Sequence, residues 1–420
     1  MNIKIRLTIL NFLEFAVWGA YLISMGLYLG SEGLGSHIGW FYSVQGFVSL
    51  CMPALMGIVA DKWIQAQRLL ALCHALAGAF MIAACFYGVY AAGNISFGML
   101  FTLYTLSVAF FMPTIALVNS VAYNALEKEG LDTVKAFPPI RVWGTVGFIC
   151  SMWAVNLLGF KATPYQFALS GGLSVVMAFY SLTMPACPTN QGGEQKTLVE
   201  ALGLRAFTLF KDYRMAVFFI FSMLLGSCLQ ITNGYATSYL EAWGKLPEFA
   251  DSLMVKYSVI ITSISQMSET LCILLIPFCL SRFGIKKVML ISMFAWVLRF
   301  GFFAIGNPGS GFVFIILSMI VYGVAFDFFN ISGSLFVDKE TDLGIRNSAQ
   351  GLFMMMTNGF GATVGMLAAQ EVVNHFVFNL PEGGDVLAGW QTCWYIFSAY
   401  ALVVAVLFAV LFRYKHKPTE

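Results

Sequence analysis

Twelve apolar stretches, each about as long as a bilayer is thick, decide what this chain can fold into. A membrane-spanning helix needs about 20 mostly apolar residues. Such stretches lie at roughly 7–29, 38–60, 69–91, 97–122, 140–160, 164–185, 215–240, 253–280, 286–306, 311–336, 347–377 and 390–412. Only 10 % of the residues are charged and 59 % are hydrophobic, whereas a soluble domain carries about 25 % charge. A hydrated shell cannot be built over 420 residues with so few charges, so the solvent around most of the chain is lipid. The expectation is an all-α membrane protein with twelve transmembrane helices. Lys4 and Arg6 precede the first stretch in the manner of a signal peptide. The apolar run that follows is too long for one and has no convincing cleavage site, so it reads as the first span.

The net charge of +2 comes with no basic cluster, and no nucleic-acid partner is expected. The nine cysteines show no metal-ligand spacing and read as small buried hydrophobes. No metal or cofactor is expected. The 39 glycines suit helices that pack closely in lipid.

Charge orients the spans. An even span count puts both termini on one side. That side collects eighteen of the 23 Lys and Arg, while Lys161, Lys245 and Lys256 lie opposite and Arg141 and Arg299 fall within or near spans. Positive charge favours the cytoplasmic side, so both termini are expected there. The longest polar stretch, 187–213, separates an N-terminal six-helix bundle (1–186) from a C-terminal one (214–420). The halves share a short charged loop after their second span: Asp61-Lys62-Trp63 in one, Arg282-Phe283-Gly284-Ile285-Lys286 in the other, 220 residues apart when Lys62 is aligned on Arg282. Repeated six-span halves are the organisation of the major facilitator fold. Asp61, Lys62, Arg282 and Lys286 are then the residues expected to gate conformational change.

Polar residues at mid-span are expensive and mark function by default. Three pairs stand out, each spaced i, i+3 on one helix face: Gln230 with Asn233, Gln266 with Glu269, and Asp327 with Asn330. Each pair alone could be interhelical glue. Three of them, on spans 7, 8 and 10, point to a wet binding site. Tyr322 and Phe326 share a face beside Asp327 and could stack on a planar solute, although with so much Phe any one ring could equally be packing. Arg141 opens the fifth span after Pro138-Pro139, with Thr145 one turn on and Phe148 beyond. It is either an interfacial anchor or a group reaching inward. Glu14, in the first span, lies near the depth of the span-7 polar face through the internal repeat. Gln45 sits one residue from the repeat mate of Gln266. Arg299, deep in span 9, reads as a structural ion pair or as a snorkelling side chain. The four histidines are scattered.

Motifs for ATP binding, zinc-dependent hydrolysis and serine nucleophiles are absent from the sequence, so an enzyme is not expected. A gradient is the remaining energy source, and Asp327, Glu269 and Glu14 are the candidates for coupling a proton.

The runs Phe137-Pro-Pro-Ile-Arg141-Val-Trp-Gly-Thr145, Gln230-Ile-Thr-Asn233, Ser265-Gln266-Met-Ser-Glu269 and Tyr322-Gly-Val-Ala-Phe326-Asp327-Phe-Phe-Asn330 resemble the bacterial nucleoside:proton symporters, a branch of the major facilitator superfamily. The resemblance covers nearly the whole chain. It implies proton-driven nucleoside uptake by alternating access across the bacterial inner membrane. It also implies substrate contacts at Arg141, Thr145, Phe148, Gln230, Asn233, Gln266, Glu269, Tyr322, Phe326 and Asp327. No cofactor is expected, and the carrier is expected to be a monomer. Where the family has Gln in the first span, this chain has Glu14. A symporter for another polar solute such as a sugar, and a membrane sensor that binds a nucleoside without moving it, are the alternatives.

Overall fold

A backbone in lipid must satisfy its own N–H and C=O groups, and helices do so within one segment. The computed structural model describes residues 2–189, 204–342, 345–381 and 383–414, apart from the side chains of Asp61, Val134, Leu204 and Asn347, and among these residues there is no strand. The chain divides into two compact units, Met1–Leu202 and Gly203–Glu420. Of the expected linker, 190–203 lies outside the described residues, and Leu204–Lys211 is a 3₁₀ segment.

The first unit contains α1 (Ile3–Gly19), α2 (Met25–Ser31), α3 (Ile38–Lys62), α4 (Ala66–Tyr90), α5 (Phe97–Phe111), α6 (Thr114–Lys128), α7 (Thr133–Leu157) and α8 (Tyr165–Leu182). The second contains α9 (Tyr213–Ala242), α10 (Leu253–Lys256), α11 (Ser258–Ile273), α12 (Ile276–Phe283), α13 (Ile285–Ile305), α14 (Phe312–Glu340), α15 (Arg346–Met354), α16 (Ala362–Val373) and α17 (Val386–Leu411). Two wide π turns, Met355–Gly361 and Asn374–Phe378, flank α16.

Ten of the expected spans are single helical runs long and apolar enough to cross a bilayer, and an eleventh is the pair α11 and α12, bent by 56°. Pro277 explains the bend, because it lacks the N–H that would continue the ladder across Leu274 and Leu275. The expected span 7–29 is not one helix: α1 stops at Gly19, a turn follows, and α2 resumes at Met25. Pro113 likewise marks the joint between α5 and α6. Phe86, Phe179, Leu271, Leu274 and Val410 are exposed, which water would punish and lipid does not. Two cysteines depart from the buried reading, since Cys51 and Cys150 are exposed.

Small residues bring the helices together. Gly78 on α4 and Gly171 on α8 meet reciprocally: a Cβ on either would lie 2.9 Å from the other's carbonyl oxygen. On α7, Gly147 lies directly against the Phe12 backbone of α1, and Gly19 of α1 lies against Phe148. In the second unit, a Cβ at Gly323 of α14 would lie 2.5 Å from the Ser268 carbonyl oxygen of α11. Without hydrophobic drive between helices in lipid, such close approach is what packing there depends on. At one end of the first unit, Arg6 and Lys128 donate to the carbonyls of Thr183 and Ala186 just beyond α8, the placement a helix C-terminus favours.

Of the repeated loops, Lys62 closes α3 and is half-buried, Arg282 near the end of α12 is exposed, and Lys286 on α13 donates to the Ala409 carbonyl at 3.0 Å. Gly284, between α12 and α13, has φ +77° and ψ 166°, a region open essentially to glycine alone. The first copy turns without it.

Candidate functional site

In the second unit, three helices carry the polar pairs. Gln230 and Asn233 on α9 are buried, and Asn233 Nδ2 donates to Gln230 Oε1 at 3.4 Å, as an i, i+3 pair should. Gln266 and Glu269 on α11 are half-buried. On α14, Asp327 is 5 % exposed and Asn330 is half-buried. Asp327 Oδ2 and Gln266 Oε1 are buried with no hydrogen-bond partner among the described residues. Gly323 lets α14 close on α11 between Tyr322 and Asp327, so the Glu269 and Asp327 carboxylates act on each other electrostatically.

The aromatic pair chosen from spacing is a stack. The rings of Tyr322 and Phe326 lie 5.7 Å apart and within 5° of parallel. Trp296 of α13 meets Tyr322 edge-on at 6.1 Å. Phe326 and Asn330 line a small open cleft within this unit, together with Leu225, Gly226, Leu229, Trp296, Ala325, Phe329, Thr357 and Asn358. Thr357 and Asn358 belong to the first π turn, against which Gly226 of α9 packs. Wide turns of this kind recur at functional sites. Neither residue was legible in the sequence, because a π turn has no composition of its own.

In the first unit, α7 presents Arg141, Thr145 and Phe148 one turn apart. The Arg141 guanidinium lies over the Phe15 ring of α1, 3.9 Å from its centroid. A Cβ at Gly144 would lie 2.6 Å from that ring and 2.8 Å from the guanidinium, so the glycine makes room for the stack. Thr145 is half-buried. Phe148 is buried and meets Trp18 edge-on at 6.3 Å. Trp18 Nε1 donates to Gln45 Oε1 at 3.4 Å, and Gln45 Nε2 donates to the Tyr104 hydroxyl at 2.6 Å.

Glu14 is 0 % exposed and sits within the first unit, 2.8 Å from His74 Nε2 of α4. Its other oxygen accepts from Thr114 Oγ1 at 2.6 Å, and His74 Nδ1 lies 2.9 Å from Ser174 Oγ of α8. Four helices therefore meet at one satisfied polar network. His74, scattered by sequence position, is the partner that was missed. The physical signal was present: a buried carboxylate and a buried imidazole each need a partner.

Arg299 departs from both sequence readings. It is 2 % exposed, so it does not snorkel, and among the described residues no carboxylate pairs with it. It donates to the Ser318 carbonyl at 2.8 Å and to Ser265 Oγ at 3.2 Å, and it lies 4.6 Å from the Tyr322 ring centroid.

Comparison with known proteins supports one family. The family model described as nucleoside H+ symporter matches residues 1–417. The xanthosine permease of Escherichia coli (strain K12) is 48 % identical over 423 residues, covering 100 % of this chain and 98 % of that protein. The nucleoside permease NupG of the same organism is 46 % identical over 419 residues, covering 99 % and 97 %. The crystal structure of the nucleoside transporter NupG superposes with a TM-score of 0.90 at 45 % identity, covering 99 % of this chain and 100 % of that one. The expected fold class stands: the chain is an all-α, multi-pass membrane protein of the major facilitator type, and its relatives are transporters rather than enzymes. On a match that runs almost from end to end, this chain belongs to the nucleoside H+ symporter family.

Proposed function

We propose that this protein imports nucleosides with protons across the bacterial inner membrane, as a monomer with both termini in the cytoplasm. The single observation that carries the reading is Asp327: a carboxylate 5 % exposed in the middle of a spanning helix, beside a parallel aromatic stack and within electrostatic reach of Glu269. A carboxylate there is costly, and reversible protonation is what makes the cost useful. Phe326 offers a flat face at the cleft on which a base stacks. Gln230, Asn233, Gln266 and Asn330 supply donors and acceptors for the base edge and the ribose hydroxyls. Arg141, Thr145 and Phe148 are the contacts assigned to the first unit. Asp327 and Glu269 carry the proton. Glu14 is held by His74 and Thr114, which favours a part in the integrity of the first unit over substrate contact. The orientation rests on the charge bias, with eighteen basic residues on one side of the spans and three on the other.

The test is uptake of radiolabelled uridine, adenosine and xanthosine into energised cells expressing the chain, with and without a protonophore. Accumulation of at least one nucleoside that collapses with the protonophore is expected. No accumulation of any of the three, with the protein verified in the membrane, rejects the reading.

A further inference from the structure

Two of the contacts assigned to the first unit, Arg141 and Phe148, share one aromatic row. Arg141 lies over Phe15, Phe15 meets Trp18 at 6.5 Å, and Trp18 meets Phe148 edge-on at 6.3 Å. Gly19, packed on the Phe148 backbone, is what brings Trp18 to α7. From Glu14 to Gly26, Trp18 alone is not buried, so the row is accessible at the indole. Next to the indole stands a polar group that the transport reading leaves without a task, Gln45 of α3. It is 2 % exposed, close to the 5 % of Asp327 and the 7 % of Phe148.

A side-chain amide has two N–H donors and two acceptor lone pairs. Among the described residues Gln45 uses one of each: Oε1 accepts from Trp18 Nε1 at 3.4 Å, and Nε2 donates to the Tyr104 hydroxyl of α5 at 2.6 Å. One N–H and one lone pair remain, and a half-satisfied amide within a span is costly. The orientation of the amide is also fixed. An indole nitrogen only donates, so turning the amide over would set N–H against N–H at Trp18. The Tyr104 hydroxyl donates or accepts and would tolerate either orientation.

We propose that Gln45, its amide held in one orientation by Trp18, reads the order of donor and acceptor on the edge of the nucleobase and so determines specificity; this rests on the transport reading and names what that site selects. Uracil presents a carbonyl oxygen beside an N–H. Cytosine presents an amino group beside a bare ring nitrogen, the same two positions with donor and acceptor exchanged. Hypoxanthine and adenine differ in the same way. An amide free to turn over pairs with either order. A fixed one pairs with one order and opposes the other donor to donor, the mismatch that a polar site rejects most strongly. Gln45 touches the substrate, and Trp18 is its positioning residue.

The experiment uses the full chain in proteoliposomes and compares Gln45→Leu, Trp18→Phe and the unsubstituted protein. It reads two ratios of kcat/KM from proton-driven uptake, uridine to cytidine and inosine to adenosine. A paired amide is worth about five- to a hundredfold in discrimination between bases. The unsubstituted protein should therefore favour one member of at least one pair by about fivefold or more. Gln45→Leu should move that ratio towards one by about fivefold or more. Trp18→Phe keeps the ring and Gln45 but frees the amide to turn over, and should move the ratio the same way by at least about twofold. Near-equal uptake within both pairs by the unsubstituted protein, or a smaller shift in either variant, overturns the inference. Rates that fall together with the ratio unmoved count as a smaller shift and leave Gln45 as packing. If a variant does not reach the membrane, Gln45→Met or Trp18→Tyr takes its place and is judged by the same ratio. Failure of the unsubstituted protein to take up any of the four nucleosides is a separate result: it removes the transport reading, and this inference with it.

Discussion

Phe326 gives the transport reading its most quantitative consequence at the scale of a residue. A base stacked on an aromatic ring contributes about 1–3 kcal/mol by alanine substitution, and each 1.4 kcal/mol is about tenfold in affinity. Phe326→Ala should therefore raise the KM for uptake by about five- to a hundredfold while changing kcat less, read from initial rates at saturating and subsaturating nucleoside. An unchanged KM would place the base elsewhere. Glu14 and His74 make a second case. Removing one partner of a buried pair costs about 3–5 kcal/mol because the other is stranded. His74→Ala should therefore lower thermal stability in detergent more than the double replacement Glu14→Ala with His74→Ala does. A double variant at least as unstable as the single one would show that the pair is not energetically linked. The carboxylate half was legible as a residue out of place in an apolar run. The imidazole half was not, because the network is made of four residues on four helices, and nothing in the sequence says which helices will touch.

At the scale of the element, glycine sets the distance between helices. Gly147 lies against the Phe12 backbone, and backbone cannot swing aside as a side chain can. Gly147→Ala should move α1 from α7 and destabilise the protein by about 1–3 kcal/mol, measured as a loss of thermal stability. The same change at Gly172, where an added Cβ meets nothing within 4 Å, should leave stability within about 0.5 kcal/mol. Equal effects at the two positions would defeat the argument. The number and place of the spans were readable because lipid demands a continuous apolar run; the bend at Pro277 was not foreseen, and 253–280 was expected as one span. The break after Gly19 was not foreseen either, because the apolar pattern runs on through Ala20, Tyr21, Leu22 and Ile23. The wide turns at Met355–Gly361 and Asn374–Phe378 were hidden for a related reason. They are held by packing against neighbouring helices rather than by local propensity. Arg299 shows the same limit: its depth was legible, and the absence of a carboxylate beside it was not.

For the molecule as a whole, the Glu14–His74 pair bears on how the protein is made. The two residues stand 60 positions apart, and synthesis runs at about 5–20 residues per second. For several seconds α1 must therefore enter the bilayer with a carboxylate that has no imidazole to meet. An unpaired acid near the centre of a span adds about 2.5–3.5 kcal/mol to the cost of insertion, and a helix of 17 residues has little apolar length to offset it. The first span should be retained at the translocon until the helix carrying its partner emerges. Chains truncated after residue 62 should integrate poorly, those truncated after residue 90 well, and Glu14→Leu should remove the difference, scored by glycosylation-site mapping in microsomes. Efficient integration of the shorter chain would mean that the acid is shielded in some other way before His74 arrives. A contact that looks like a static brace in the finished protein thus sets when its first helix can pass from the translocon into the bilayer.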